Sequence, residues 1–158
     1  MEYFDVIDIN RKPLNKVKAR GEQLEENEYN VGVEAWILNS KREVLITQRS
    51  KNKSHSNLWE CPGGCSVAGE SSLQTLKREM EEEIGIDISN IDVKYVDTKL
   101  YKKQFVDIYT FNIDIDITKL KLQEEEIQNA KWVSIEELEN MHKNEEVVKS
   151  VMERFYQV

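Results

Sequence analysis

Two periods of apolar residues alternate along the chain. Tyr3 to Ile9 alternates loosely and predicts a first strand, and residues 10–14, with Pro13, predict a turn. Val31 to Leu38 is almost continuously apolar, with Trp36 and Ile37, and predicts a central strand. Residues 39–41 predict a turn and Val44 to Thr47 the next strand, the two strands forming a hairpin. Residues 50–58 are polar and irregular, and Pro62-Gly63-Gly64 predicts a break in regular structure. A helix is predicted from about Ser71, which makes a capping box with Gln74, to Gly85, which suits the position just past a helix end. Val93 to Leu100, Val106 to Ile115 and Lys131 to Val133 predict further strands; Ile135 to Met141 and Glu145 to Tyr156 predict helices. Strands and helices mix without regular alternation, so the class is α+β or an α/β/α sandwich with a mixed sheet.

The helix of residues 71–85 carries the candidate chemistry. At about 100° per residue, Leu73, Leu76, Met80 and Ile84 form a stripe expected to face the core. Glu79, Glu82 and Glu83 are spaced i, i+3 and i+4 on a bordering face, while Glu81 points elsewhere. Like charges at these spacings cost a few tenths of a kcal/mol per pair, and they sit in the C-terminal half of the helix, where the dipole disfavours them. Such a face is either simply solvated or gathered by a hard divalent cation such as Mg²⁺ or Mn²⁺, which prefers oxygen ligands.

Composition narrows the classes. The chain has 158 residues, 39% hydrophobic and 33% charged, as expected of one globular domain. No apolar run approaches the ~20 residues of a membrane helix. The start, Met1-Glu2-Tyr3-Phe4-Asp5, lacks the basic and apolar pattern of a signal peptide, so a cytoplasmic location is expected. The net charge of −8 argues against general nucleic-acid binding. If the substrate is a phosphate ester, a bound cation or a local basic patch must offset the charge. Cys61, Cys65, His55 and His142 are too few and too scattered for a disulfide scaffold, and support a zinc site only weakly.

Gly64, Glu70 and the run Arg78-Glu79-Met80-Glu81-Glu82-Glu83-Ile84-Gly85-Ile86 meet every specified position of one motif at the right gaps. Residues 64–86 thus resemble the Nudix box. Similarity extends outside it through Gln48-Arg49-Ser50, Leu58-Trp59-Glu60 and Ala130-Lys131-Trp132-Val133. The resemblance implies one Nudix domain over residues 1–158, with residues 1–30 an extension packed on it. It implies that Glu82 and Glu83 ligate Mg²⁺ (or Mn²⁺), with Glu79 as a further ligand, directly or through water, and the Gly64 carbonyl joining the metal shell. Arg78 orients the glutamates with its forked donors and Glu70 braces the helix start. The implied reaction is attack of water on phosphorus in a small diphosphate substrate, and dimers are common in the family. The general base is either Glu79 or a residue of the loop before Trp132, with Glu126 the first choice there. Arg49, Lys51 and Lys53 are candidate phosphate ligands, and Tyr101, Phe105 and Trp59 candidate base-stacking residues.

Two other classes remain open. Residues 3–8 with Arg20-Gly21-Glu22 are similar to a branch that includes isopentenyl diphosphate isomerases. Those enzymes use a cysteine in the loop before the box, where this chain has Gly63 flanked two residues away by Cys61 and Cys65. A Nudix fold serving only as a ligand sensor commonly loses box glutamates, and none is lost here.

Overall fold

The computed structural model describes residues 1–157, with the side chain of Gln157 and the whole of Val158 outside the description, and counts refer to the described residues. Residues Tyr3–Ile7 (β1) and Pro13–Ala19 (β2) form an antiparallel two-stranded sheet. β2 occupies part of what the sequence predicts as a turn; Pro13 is tolerated as its first residue. A seven-stranded mixed sheet follows, built from Asn30–Leu38 (β3), Val44–Arg49 (β4), Trp59–Glu60 (β5), Gly63–Cys65 (β6), Lys94–Tyr101 (β7), Gln104–Asn112 (β8) and Ile127–Val133 (β9). The helices are Ser72–Ile84 (α1), Ile135–Lys143 (α2) and Lys149–Gln157 (α3).

β3 runs parallel to β8 in continuous register from Asn30↔Gln104 to Leu38↔Asn112. This non-local pairing explains why β3 is apolar on both faces. Val33, Ala35 and Ile37 pack with Leu76, Met80 and Ile84 of α1. Trp36 and its neighbours in β4 and β8 pack with Leu138, Val151 and Met152 of α2 and α3. Helices therefore cover both faces of a mixed sheet, the expected α/β/α sandwich.

Three local expectations are corrected. The β3–β4 hairpin closes only at its base, Leu38↔Val44, because β4 takes β9 and β5 as its main partners. Gly63 and Gly64 do not break regular structure but form β6, paired with Val33 and Glu34. At Gly63 a β-carbon would lie 2.1 Å from the Val33 carbonyl oxygen, so only glycine permits that pairing. On α1, Leu73 is exposed and Thr75 is buried in its place. Thr75 satisfies its hydroxyl against Ser66, Glu70 and the Ser71 carbonyl. The predicted caps are present: the Ser71–Gln74 capping box, worth about 1 kcal/mol, and Gly85 at φ 71°.

Candidate active site

The C-terminal half of α1, strand β6 and the loops at 50–58, 101–104 and 123–127 enclose a cavity of about 830 Å³. Glu79, Glu82 and Glu83 all line it, together with Gly64, Lys53, Arg49 and Glu126. Glu81 is exposed and stays off the wall, as the helical spacing requires.

Gly64 and Glu79 meet directly. A β-carbon on Gly64 would sit 2.3 Å from the Glu79 carboxyl, so the glycine is the space that the carboxylate occupies. Burial pushes the Glu83 carboxyl well above the usual range, and the adjacent Glu79 adds to the effect. Glu79 is also raised, again chiefly by burial, despite the opposing hydrogen bonds from Glu83 and Arg78. The two carboxyls adjoin each other on the cavity wall.

Arg78 organises this face. Its Nε donates to Glu70 Oε2 at 2.6 Å and its Nη2 to Glu70 Oε1 at 3.1 Å. Nη1 reaches Glu79 at 2.9 Å and Glu82 at 3.1 Å, and Nη2 also reaches the Cys65 carbonyl at 3.0 Å. Burial pulls the Glu70 pKa upward, but hydrogen bonds from Arg78, the Val67 N–H and Thr75 outweigh it and hold the carboxyl below the usual range. The Arg78 guanidinium is held charged, first by its bonds to Glu70.

Among the described residues no three His, Cys, Asp or Glu side chains close around a single point, since Arg78 takes an oxygen from both Glu79 and Glu82. The donor set nonetheless fits a hard divalent cation. It is all oxygen, and the half-buried carboxyls of Glu79 and Glu83 adjoin, so burial and their mutual repulsion both favour a cation between them.

The basic residues are placed less as the sequence predicts. Arg49 lines the cavity but spends Nη1 on both oxygens of Glu60, at 2.8 and 3.0 Å, and Nε on the Ser54 carbonyl at 2.7 Å. It braces the 50–58 loop rather than presenting a free fork. Lys51 is exposed and lies off the cavity wall. Lys53 is on the wall and pairs with Glu126, so the substrate-binding and general-base candidates arrive as one ion pair. Of the three aromatic candidates only Tyr101 lines the cavity. Phe105 packs on Tyr29, and Trp59 carries the Lys131 ammonium 4.7 Å from its ring centroid.

Two further ion pairs on the wall were not predicted. Glu2 and Arg20 come from the N-terminal sheet. Glu34 and Arg154, 120 positions apart, form an ion pair at 2.5 Å. No local pattern signals either pair, because the partners meet only through the fold. Cys65 faces the cavity and its sulfur accepts from the Gln104 amide at 3.2 Å. Cys61 is buried, and burial with the nearby Glu34 carboxylate pushes its thiol well above the usual range.

The NUDIX domain model matches residues 28–155. The chain is 33% identical over 152 residues to an uncharacterized Nudix hydrolase of Listeria monocytogenes, covering 94% of this chain and 89% of that protein. It is 31% identical over 102 residues to an 8-oxo-dGTP diphosphatase of Buchnera aphidicola, covering 65% and 75% of the two chains. A crystal structure of a Deinococcus radiodurans protein superposes with a TM-score of 0.80 at 20% identity, covering 93% of this chain and 92% of that one. With the box residues gathered on one cavity wall and a family model matching most of its length, the chain belongs to the Nudix hydrolase family, whose members generally use divalent metal ions.

Proposed function

We propose that this protein hydrolyses a diphosphate linkage in a small, nucleoside-containing substrate, with Mg²⁺ or Mn²⁺ held by Glu79, Glu82, Glu83 and the Gly64 carbonyl. The observation that carries the proposal is the half-buried Glu79–Glu83 pair, with Glu79 seated against Gly64 inside the 830 Å³ cavity and Glu82 beside it. When bound, the cation supplies charge neutralisation at the phosphoryl oxygens and acidifies the attacking water. Arg78 keeps the carboxylates in place through its four-way set of contacts, a task that needs a planar fork.

Glu126 is the favoured general base. It stands on the cavity wall with Lys53 as its charged partner, whereas Glu79 is engaged by both Arg78 and Glu83. Lys53 is the phosphate ligand of choice among the three predicted cations, because Arg49 is committed to Glu60 and Ser54 and Lys51 lies off the wall. Residues 1–30 belong in this proposal to the same domain as the box, since the Ala68 N–H donates to the Tyr3 carbonyl at 2.8 Å. The nucleoside part of the proposal is supported by the Buchnera relative, which is named for a nucleoside triphosphate substrate.

A panel of nucleoside triphosphates, nucleotide sugars and ADP-ribose, incubated with Mg²⁺ in ¹⁸O-labelled water, tests the proposal. One phosphate-bearing product is expected to gain the label, and EDTA to stop the reaction. Isomerisation of isopentenyl diphosphate without label, or tight nucleotide binding without cleavage, would replace hydrolysis with the isomerase or sensor class.

A further inference from the structure

The cavity wall carries four cations that are each matched to a glutamate, and they differ in how readily they can be released. Arg154 and Glu34 are both enclosed, with 13% and 4% of their side chains exposed. Lys53–Glu126, 25% and 29% exposed, is the catalytic site's own pair, and Arg49–Glu60 is a largely buried one. Breaking such a pair leaves an uncompensated charge in a low-dielectric setting, which is costly. Arg20–Glu2 is different: the side chains are 60% and 52% exposed and joined by a single contact of 3.1 Å. An exposed pair of that kind contributes little to stability, so Arg20 exchanges Glu2 for another anion at little cost.

Arg20 also lines the cavity, carried there by the N-terminal hairpin. The backbone of β1 and β2 is fixed to the box: the Ala68 N–H donates to the Tyr3 carbonyl and the Gly69 N–H to Asp5, both at 2.8 Å. Phe4, Val6 and Ile7 are buried beneath the hairpin. At the open end the Arg20 N–H donates to the Glu2 carbonyl at 2.9 Å, and Gly21, at φ 92°, turns the chain away directly afterwards. Although partial burial opposes it, the Arg20 charge is favoured by Glu2 and Glu126. Arg20 shares the cavity with Gly64 and with Glu126 of the 123–127 loop. The match to the family model begins only at residue 28. These two charged residues lie outside that match.

Resting on the hydrolase proposal above, we infer that Arg20, delivered by the N-terminal hairpin, is a specificity-determining contact for a further phosphate on the substrate. It releases Glu2 when a nucleoside triphosphate enters and takes the phosphate that lies beyond the metal-held pair. The hairpin thereby favours triphosphates over compounds with a diphosphate alone. The competing contact is Lys102, an exposed wall residue at the β7–β8 turn whose ammonium lies 5.5 Å from the Tyr101 ring centroid.

Calorimetric binding of ATP and of ADP to the full chain, with Ca²⁺ as a slow-turnover cation, tests the inference. ATP should bind more tightly than ADP, and Arg20→Ala should narrow that gap about tenfold, the scale of one charge-assisted hydrogen bond. Arg20→Lys should keep part of it. Glu2→Gln, which frees Arg20, should widen the gap, a sign that no structural defect produces. If Arg20→Ala is found unfolded by circular dichroism, the Glu2→Gln result decides alone. An unchanged gap in both variants, the absence of a gap in the wild type, no binding of either nucleotide at millimolar concentration, or narrowing by Lys102→Ala instead would overturn the inference. Turnover measured on the same proteins separates the two claims. An Arg20-dependent gap without hydrolysis rejects the hydrolase proposal and leaves the contact; hydrolysis with an Arg20-independent gap does the reverse.

Discussion

Arg78 meets Glu70 fork to fork, with Nε–Oε2 at 2.6 Å and Nη2–Oε1 at 3.1 Å, and the same guanidinium extends Nη1 to Glu79 and Glu82. Glu70 therefore anchors the group that orients the cavity carboxylates. Its own place is set by the Val67 N–H at 2.9 Å and the Thr75 hydroxyl at 3.0 Å. Arg78→Lys keeps the charge but loses the planar fork. It is expected to lower turnover about tenfold to a hundredfold, the range for removing a residue that positions metal ligands, with the fold intact by circular dichroism. Wild-type turnover at saturating Mg²⁺ in this variant would show that the fork has no positioning role.

The metal assignment separates three adjacent glutamates. Glu82→Gln and Glu83→Gln should each lose at least about two orders of magnitude in turnover, while Glu81→Gln, exposed and off the wall, should not. A second readout does not depend on catalysis. Mg²⁺ should raise the thermal midpoint of the wild type, because a ligand that binds only the folded state stabilises it, and Glu83→Gln should abolish that rise. Equal behaviour in all three variants would remove the assignment.

Two neighbouring glycines should fail in different ways. At Gly64 a β-carbon meets the end of the Glu79 side chain, which can swing aside; at Gly63 it meets the Val33 backbone carbonyl, which cannot. Gly64→Ala is expected to keep its thermal midpoint within a few degrees and lose Mg²⁺ affinity. Gly63→Ala is expected to be severely destabilised or insoluble, because strands β3 and β6 must separate. Thermal melts with and without Mg²⁺ check both, and a reversal of the two phenotypes would contradict the packing at β6.

Away from the cavity, Asp107 gives a pH signature. It is buried, yet Arg11 at 2.7 and 2.9 Å and the Thr98 hydroxyl at 2.6 Å hold its carboxyl below the usual range against the opposing pull of burial. A depressed folded-state pKa contributes stability that is present above the unfolded value, about 3.9 for aspartate, and is lost as pH falls through the folded value. Asp107→Asn should cost about 2 kcal/mol at pH 7. The difference from wild type should shrink as pH drops below 4. Urea midpoints across pH 2–8 measure this, and a gap that grows on acidification would have the wrong sign.

The cysteines should differ in reactivity. Cys61 is buried with a raised pKa, whereas Cys65 opens to the cavity. A thiol reagent at neutral pH should titrate one sulfur quickly in the native protein and the second only on unfolding. Cys65→Ser should remove the fast phase and keep most activity, since serine preserves an acceptor for the Gln104 amide. Loss of turnover in that folded variant would point to a thiol in the reaction.

The amino-acid order alone determined the parts of this protein that depend on neighbours a few residues apart. The α1 caps, the carboxylate face at 79, 82 and 83 and the exclusion of Glu81 follow from local residue types and spacing, and the structure has them where the spacing puts them; the orienting role of Arg78 comes from the resemblance to the Nudix box. Distant pairing was not legible in the same way. That β3 lies parallel to β8, that β4 prefers β9 to its sequence neighbour, and that Gly63–Cys65 is a strand are decided by which backbones can approach, a matter of register over 30 to 90 residues. The same limit explains the cations. In sequence Arg49, at the end of a strand, reads as a better phosphate ligand than Lys51 or Lys53, but Glu60, Ser54 and Glu126 exist as partners only once β5 and the 123–127 loop have folded against them, leaving Lys53 at the cavity, Arg49 as a brace and Lys51 outside. Arg20 and Arg154 reach the cavity from the two ends of the chain for the same reason. A local pattern encodes which face of an element a residue occupies, whereas the partner across the cavity is set by tertiary packing, because charge pairing depends on distance in space and not on separation along the chain.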